Sequence, residues 1–303
     1  MGGKALDQAI IKTLAYADIF DYPLKKEEIW LFLIGKKTSK DELAKELERL
    51  TSVGQIGQKI GYYFLPKREK IVQIRKRRQI YSFEKAKIAQ KVARIIIFLP
   101  GVKLVGLTGA LAMTNNDKDD DIDFLIITSA GFLWTTRLLT VLITTLLGKR
   151  RTPRTRVVTD KICLNLFVDE DHLQFGPPDL YLAHEVLQMK PIYEKDHTYQ
   201  KYLAANHWTE KFLPNWTKQV LSAKYQISKR HESRHYFWPL QIIFEQLFRR
   251  LQLTYMARRR TSELISNTQL RFHPQDAKKI VSQKYQQKLK DLKIPLDKSQ
   301  DHF

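Results

Sequence analysis

The 303-residue chain reads as an α+β protein, with a small mixed or antiparallel sheet in its middle third and helices on either side of it. Three observations carry that reading. Apolar strand-like runs at 103–108 ("KLVGLT"), 121–128 ("DIDFLIIT") and 159–169 ("TDKICLNLFVD") are separated by helix-like segments of unequal length, so no regular βαβ repeat is present. The first 66 residues show helical spacing of apolar positions. Residues 201–303 are basic and helix-like, with few turn signals before "FHPQD". A composition of 43% hydrophobic and 28% charged residues is that of a globular chain. The expected division is 1–66, a connecting helix at 67–101, a core at 102–200 and a basic helical region at 201–303.

Taken in order, "ALDQAIIKTLAYADIF" places Ile10, Ile11, Leu14 and Ile19 at helical spacing. Pro23 opens a second helix, "PLKKEEIWLFLIG". In the third, "TSKDELAKELERLTSVG", Ser39 and Glu42 form a capping box, and Leu43, Leu47 and Leu50 the buried stripe. "QIGQK" and "YYFLP", joined at Ile60-Gly61, read as a hairpin. Residues 67–97 read as a long basic helix closed by Pro100-Gly101. "GFLWTTRLLTVLITTLLG" reads as a helix buried on a sheet rather than a membrane span, because Arg137 and five threonines interrupt it. "PPDLYLAHEVLQMKPIYE" begins with prolines suited to a helix start and continues as an apolar helix. The aromatic residues Trp208, Trp216, Tyr225, Tyr236, Phe237, Trp238, Phe244 and Phe248 read as packing within a helical bundle, and the tail after Pro295 as disordered.

The formal net charge of +20 is concentrated in two stretches. Residues 67–94 hold eleven Lys/Arg against two Asp/Glu, and residues 201–303 hold twenty against eight. Such surfaces attract polyanions, so a nucleic-acid partner, RNA in the first instance, is expected. The single cysteine, Cys163, and an N-terminus without the apolar core of a signal peptide point to a cytoplasmic protein. No zinc spacing, Walker A loop, dinucleotide fingerprint or serine elbow is found.

Against this basic background, "LTGALAMTNNDKDDDIDFLII" (107–127) packs Asp117, Asp119, Asp120, Asp121 and Asp123 into seven positions. Strand side chains alternate, so Asp121 and Asp123 share a face while Ile122 points away. Two carboxylates on one strand face suit a hard divalent cation. The Gly109-Ala110 turn, at the end of the preceding strand, lets backbone N–H groups approach a phosphate. The loop "GKRRTPRTR" (148–156) supplies basic side chains for phosphates. His184 and Glu185, adjacent on a helix, read as ordinary polar positions.

These residues resemble the DNA polymerase β-like nucleotidyltransferase superfamily: a strand, a small-residue turn, about ten residues, then Asp-apolar-Asp opening the next strand. The resemblance covers roughly residues 103–195. It implies that Asp121 and Asp123 ligate Mg²⁺ or Mn²⁺, that Thr108, Gly109 and Ala110 hold the phosphates of an NTP co-substrate, and that a nucleoside monophosphate passes to an acceptor hydroxyl. Ala110 stands where the superfamily carries a serine, and Asp120 where a serine commonly precedes the pair. The family's third carboxylate falls, by position, on Asn165, which can ligate through its amide oxygen but carries no charge. Asp160, Asp169 and Glu170 lie nearer the strand ends. These departures keep open a nucleotide- or nucleic-acid-binding regulatory protein on the same fold. The N-terminal order of three helices and a hairpin resembles a winged helix. Its third helix is acidic at Asp41, Glu42, Glu46 and Glu48, which favours a structural or protein-contacting role over DNA reading.

Overall fold

The computed structural model describes residues 2–152, 154–216, 239–257, 264–272 and 274–295. It opens with α1 (Gly2–Asp18), β1 (Leu24–Lys25), α2 (Lys26–Leu31), α3 (Lys40–Ser52), β2 (Gly57–Lys59) and β3 (Tyr62–Phe64). The three strands form an antiparallel sheet in the order β1-β3-β2. The capping box is present: Glu42 N–H donates to Ser39 Oγ (3.1 Å), and Ser39 N–H donates to Glu42 Oε2 (3.1 Å). Leu43, Leu47 and Leu50 are fully buried. The second helix is shorter than its sequence pattern, because Leu24 and Lys25 pair with β3 instead of joining it.

The 26-residue α4 (Ile71–Ile96) leads into β4 (Val102–Leu107), α5 (Gly109–Ala112), β5 (Ile122–Thr128), α6 (Leu133–Leu146), β6 (Ile162–Asp169), α7 (Leu180–Gln188), β7 (Lys190–Glu194) and α8 (Thr198–Ala205). The helix expected across 177–194 ends at Gln188. Pro191 has no N–H for the ladder and would crowd the Leu187 carbonyl, so the chain leaves as a strand. The C-terminal region supplies α9 (Pro239–Ala257) and α10 (Pro274–Asp291), and also two strands the sequence does not announce, β8 (Leu264–Ile265) and β9 (Gln269–Arg271). Runs of two and three residues are too short to show a period. Tyr225, Tyr236, Phe237, Trp238 and the tail after Pro295 lie outside the described residues.

The larger sheet has the order β7-β4-β5-β6-β9-β8, with β5 and β6 parallel and the other neighbours antiparallel. Helices cover both faces. Val105, Phe124, Ile126 and Phe167 pack with α4, α6 and the inner side of α9. Leu104, Leu125, Ile127 and Val168 pack with α7, α8 and α10, and this apolar cluster runs on without a break into α1, α2 and α3. The N-terminal unit is thus seated on the sheet face that carries Asp123.

The apolar helix α6 lies against α9. Arg137 hydrogen-bonds Gln252 and sits 5.3 Å over the Phe272 ring, while Thr140 and Thr144 return their hydroxyls to carbonyls four residues back (both 2.8 Å). Among the described residues no helix is long and apolar enough to cross a membrane.

Candidate functional site

The five aspartates divide into two groups. Asp117 and Asp120 build the loop: Asp117 N–H donates to Asp120 Oδ2 (2.6 Å) and Lys118 N–H to Asp117 Oδ1 (2.8 Å), while Arg78 lies 3.5 Å from Asp117. Asp119 lies 3.5 Å from the Thr159 hydroxyl. Beneath them the buried Lys85 of α4 donates to the carbonyls of Lys118 (2.9 Å) and Asp120 (2.6 Å) and to Asp160 Oδ1 (3.0 Å). Asn116 then bonds the Asp121 carbonyl (2.8 Å), which sets the chain in line for β5.

Asp121 and Asp123 are the pair left over. Ile122, between them, is fully buried in the cluster on the other face, as strand alternation requires. Ligand atoms of Asp121, Asp123 and Cys163 all lie within 4.8 Å of one another. Cys163 is there because it pairs with Asp123 across the parallel β5–β6 ladder. A register shift follows, so that Leu125 pairs with Leu166 and one extra residue is taken up in β6. Asn165 falls within that irregularity. It lines the same cavity as Asp123, while the position opposite Asp123 belongs to Cys163, two residues earlier.

The turn is fitted to the carboxylate. Gly109 has φ +61°, and a Cβ built on it would come within 2.8 Å of Asp123 Oδ2. Thr108 N–H donates to the Asp123 carbonyl (3.1 Å), locking β4 to β5 at this point. Thr108 Oγ1 is buried without a hydrogen-bond partner among the described residues. Thr108, Gly109 and Ala110 all line the cavity. Of the basic loop 148–156, Arg151 reaches the site and forms an ion pair with Asp121. Asp160 is held by Lys85, and Asp169 accepts from Gly131 N–H (3.2 Å) at the far end of β6; neither joins the pair.

The cavity measures about 610 Å³ and extends from Asp123 to α1, α7 and α10. Burial and the Asp121 charge raise the Asp123 carboxyl to about 7. The same burial, with the charges of Asp123 and Asp121, pushes the Cys163 thiol far up, so it is an S–H donor to Asp123 at neutral pH. Glu185 is a cavity residue and no ordinary helix position. Burial first, and Asp123 second, raise it to about 7. His184 is a core residue, stacked 4.0 Å from Tyr16 and lowered to about 3 by burial. Adjacency on α7 hides this contrast in the sequence, because only the tertiary packing decides which neighbour meets Asp123.

Much of the charge of α4 and of the residues just before it is used internally. Arg75 pairs with Glu28 (2.6 Å) over the Tyr22 ring, Arg68 bonds Asp18 (2.7 Å), and Arg78 and Lys85 hold the acidic loop. Lys67, Lys70, Arg77, Lys87, Lys91 and Arg94 are exposed.

Comparison of the chain with protein-family models gives no match, and comparisons with curated proteins and with solved structures give none either.

Proposed function

We propose that the chain is a nucleotidyltransferase of the polymerase β-like kind, carrying a winged-helix-like N-terminal unit and acting in the cytoplasm. It would move a nucleoside monophosphate from an NTP to an acceptor hydroxyl with Mg²⁺ or Mn²⁺. The observation that supports this reading best is the Asp121/Asp123 pair held against the Gly109 turn inside a cavity of about 610 Å³. The donor set suits a hard cation: two carboxylates, beside a buried hydroxyl oxygen of Thr108 that has no partner among the described residues. Asp121 and Asp123 would hold the metal, which supplies charge neutralisation at the phosphates. The protonated Cys163 adds a hydrogen bond to Asp123 and no anionic ligand.

The remaining roles fall to the chain itself. The backbone at Thr108, Gly109 and Ala110 would place the triphosphate beside the pair. The acceptor oxygen attacks the α-phosphorus, the bond from that phosphorus to the β-phosphate bridging oxygen breaks, and pyrophosphate leaves. Glu185 would take the acceptor proton. Its raised carboxyl, near neutrality, is matched to that task, and it supplies from α7 the third acid that β6 lacks at Asn165. A nucleic-acid partner, RNA first, would meet the exposed cations of α4 and the basic C-terminal region.

A second reading, a regulatory binding protein on the same fold, is favoured by the Arg151–Asp121 ion pair, which occupies one ligand of the pair. Four α-phosphate-labelled NTPs, supplied with Mg²⁺ or Mn²⁺ and with total RNA, total protein or small-molecule extract, separate the two. Label transferred by the native chain and absent with Asp121→Asn/Asp123→Asn establishes the enzyme. Metal-dependent NTP binding without transfer supports the regulatory reading. The loss of both refutes the site.

A further inference from the structure

The sheet order sets Asp123 between two differently equipped flanks. On the β4 side lies the Gly109 turn. On the β6 side, past Leu166, lies Arg271 of β9, paired with Leu166, which itself pairs with Leu125. By strand spacing and rise, the backbones of Asp123 and Arg271 are about 12 Å apart on the same sheet face. Arg271 lines the same cavity as Asp123 and Glu185.

Arg271 is an unusual cation in its surroundings. Its guanidinium sits 4.2 Å over the Phe175 ring, and among the described residues it hydrogen-bonds the neutral Gln269 Oε1 (3.1 Å). Among the described residues its Nε is buried with no partner, and no carboxylate lies within ion-pair distance. Burial lowers it to about 10, which leaves it charged at neutral pH. The other cavity cations are matched: Lys278 with Asp179 (2.7 Å) and Arg151 with Asp121. A buried guanidinium is costly unless an anion meets its fork.

We infer that Arg271 is the anchor of an anion subsite, and that the acceptor in the proposed transfer is a small molecule carrying a carboxylate or phosphate. This rests on the nucleotidyltransferase reading, which puts the nucleotide on the Gly109 side and leaves the β6–β9 side to the acceptor. The walls favour a small acceptor over a polymer. The cavity volume is that of a small-molecule site. The helix α10 is tied over it by Lys278 to α7 and by Lys288 to Asp18 of α1.

The test is titration of the full chain with inorganic phosphate and with succinate, in the presence of EDTA, read as thermal unfolding and by calorimetry. The variants are Arg271→Gln, Arg271→Lys, Asp121→Asn/Asp123→Asn, and Arg77→Gln as a surface control for a chain of net charge +20. Binding by the native chain should survive in the aspartate double variant and in Arg77→Gln. It should weaken by at least about tenfold in Arg271→Gln and be partly restored in Arg271→Lys. Whichever of the two anions binds names the group. Equal binding in Arg271→Gln, or none in the native chain, overturns the subsite. Label transfer to RNA, or transfer whose acceptor KM is unchanged in Arg271→Gln, overturns the acceptor assignment and leaves the transferase intact. Anion binding at Arg271 without any transfer refutes the transferase and leaves the subsite standing.

Discussion

Gly109→Ala tests the turn and the carboxylate pair at once. Two effects act there. The backbone sits at φ +61°, where a residue with a Cβ is strained by about 1–2 kcal/mol. The new Cβ would also stand 2.8 Å from Asp123 Oδ2, well inside ordinary contact, so the carboxylate must move by roughly half an ångström. Gly148 separates the two effects. It has nearly the same φ, +62°, but nothing lies within 4 Å of its added Cβ. Gly148→Ala should therefore lose about 1 kcal/mol in urea unfolding and leave metal binding unchanged. Gly109→Ala should lose more, about 2–3 kcal/mol, and bind Mn²⁺ at least about tenfold more weakly by calorimetry, because a ligand pair displaced by half an ångström no longer converges. Equal stability loss in the two variants, with native Mn²⁺ affinity in Gly109→Ala, would refute the argument that this glycine is fitted to Asp123.

Four further outcomes are expected. Asp123 and Glu185 titrate near 7 in the folded chain and near 4 in the unfolded chain, so the metal-free fold holds protons that the unfolded chain has lost. Its stability should fall as pH rises from about 4 to about 7, and Asp123→Asn should flatten that fall in thermal unfolding at stepped pH. Lys85→Met strands two carbonyls and Asp160 beneath the acidic loop and should lower unfolding free energy by about 2–4 kcal/mol in urea. Glu185→Gln should cut the transfer rate by about 10²–10⁴ while sparing NTP affinity in equilibrium binding. Arg151→Gln removes the cation already resting on Asp121 and should tighten Mn²⁺ binding in calorimetric titration; weaker binding would show that Arg151 helps build the site.

The features legible in the sequence are those set by local rules. Ser39 and Glu42 cap α3 because the box closes within one turn. Asp121 and Asp123 share a face because strands alternate, and Ile122 confirms it from the other side. The α+β class follows from runs of period 2 and 3.6. What was hidden depends on contacts between distant segments. The pairing of two distant strands sets Cys163 opposite Asp123, and a register shift just after that pair takes up one extra residue where Asn165 lies. Such a shift leaves no mark on composition, since "ICLNLFVD" alternates as well with it as without it. The strand at 269–271 was hidden by its shortness, and with it Arg271.

Net charge misleads here in an instructive way. The stretch 67–94 looks like a uniformly basic face, yet Arg68, Arg75, Arg78 and Lys85 point inward to Asp18, Glu28, Asp117 and Asp160. Arg75, Arg78 and Lys85 tie the N-terminal unit and the acidic loop to α4, and Arg68 adds a tie just ahead of it. The acidic run and the basic helix are packed together: Arg78 meets Asp117, and Lys85 holds the Asp120 carbonyl and Asp160. Of the five aspartates, Asp117 and Asp120 are thus bound into the loop, while Asp121 and Asp123 come together beside Cys163. Arg271 is the cavity's one arginine that no described carboxylate has claimed.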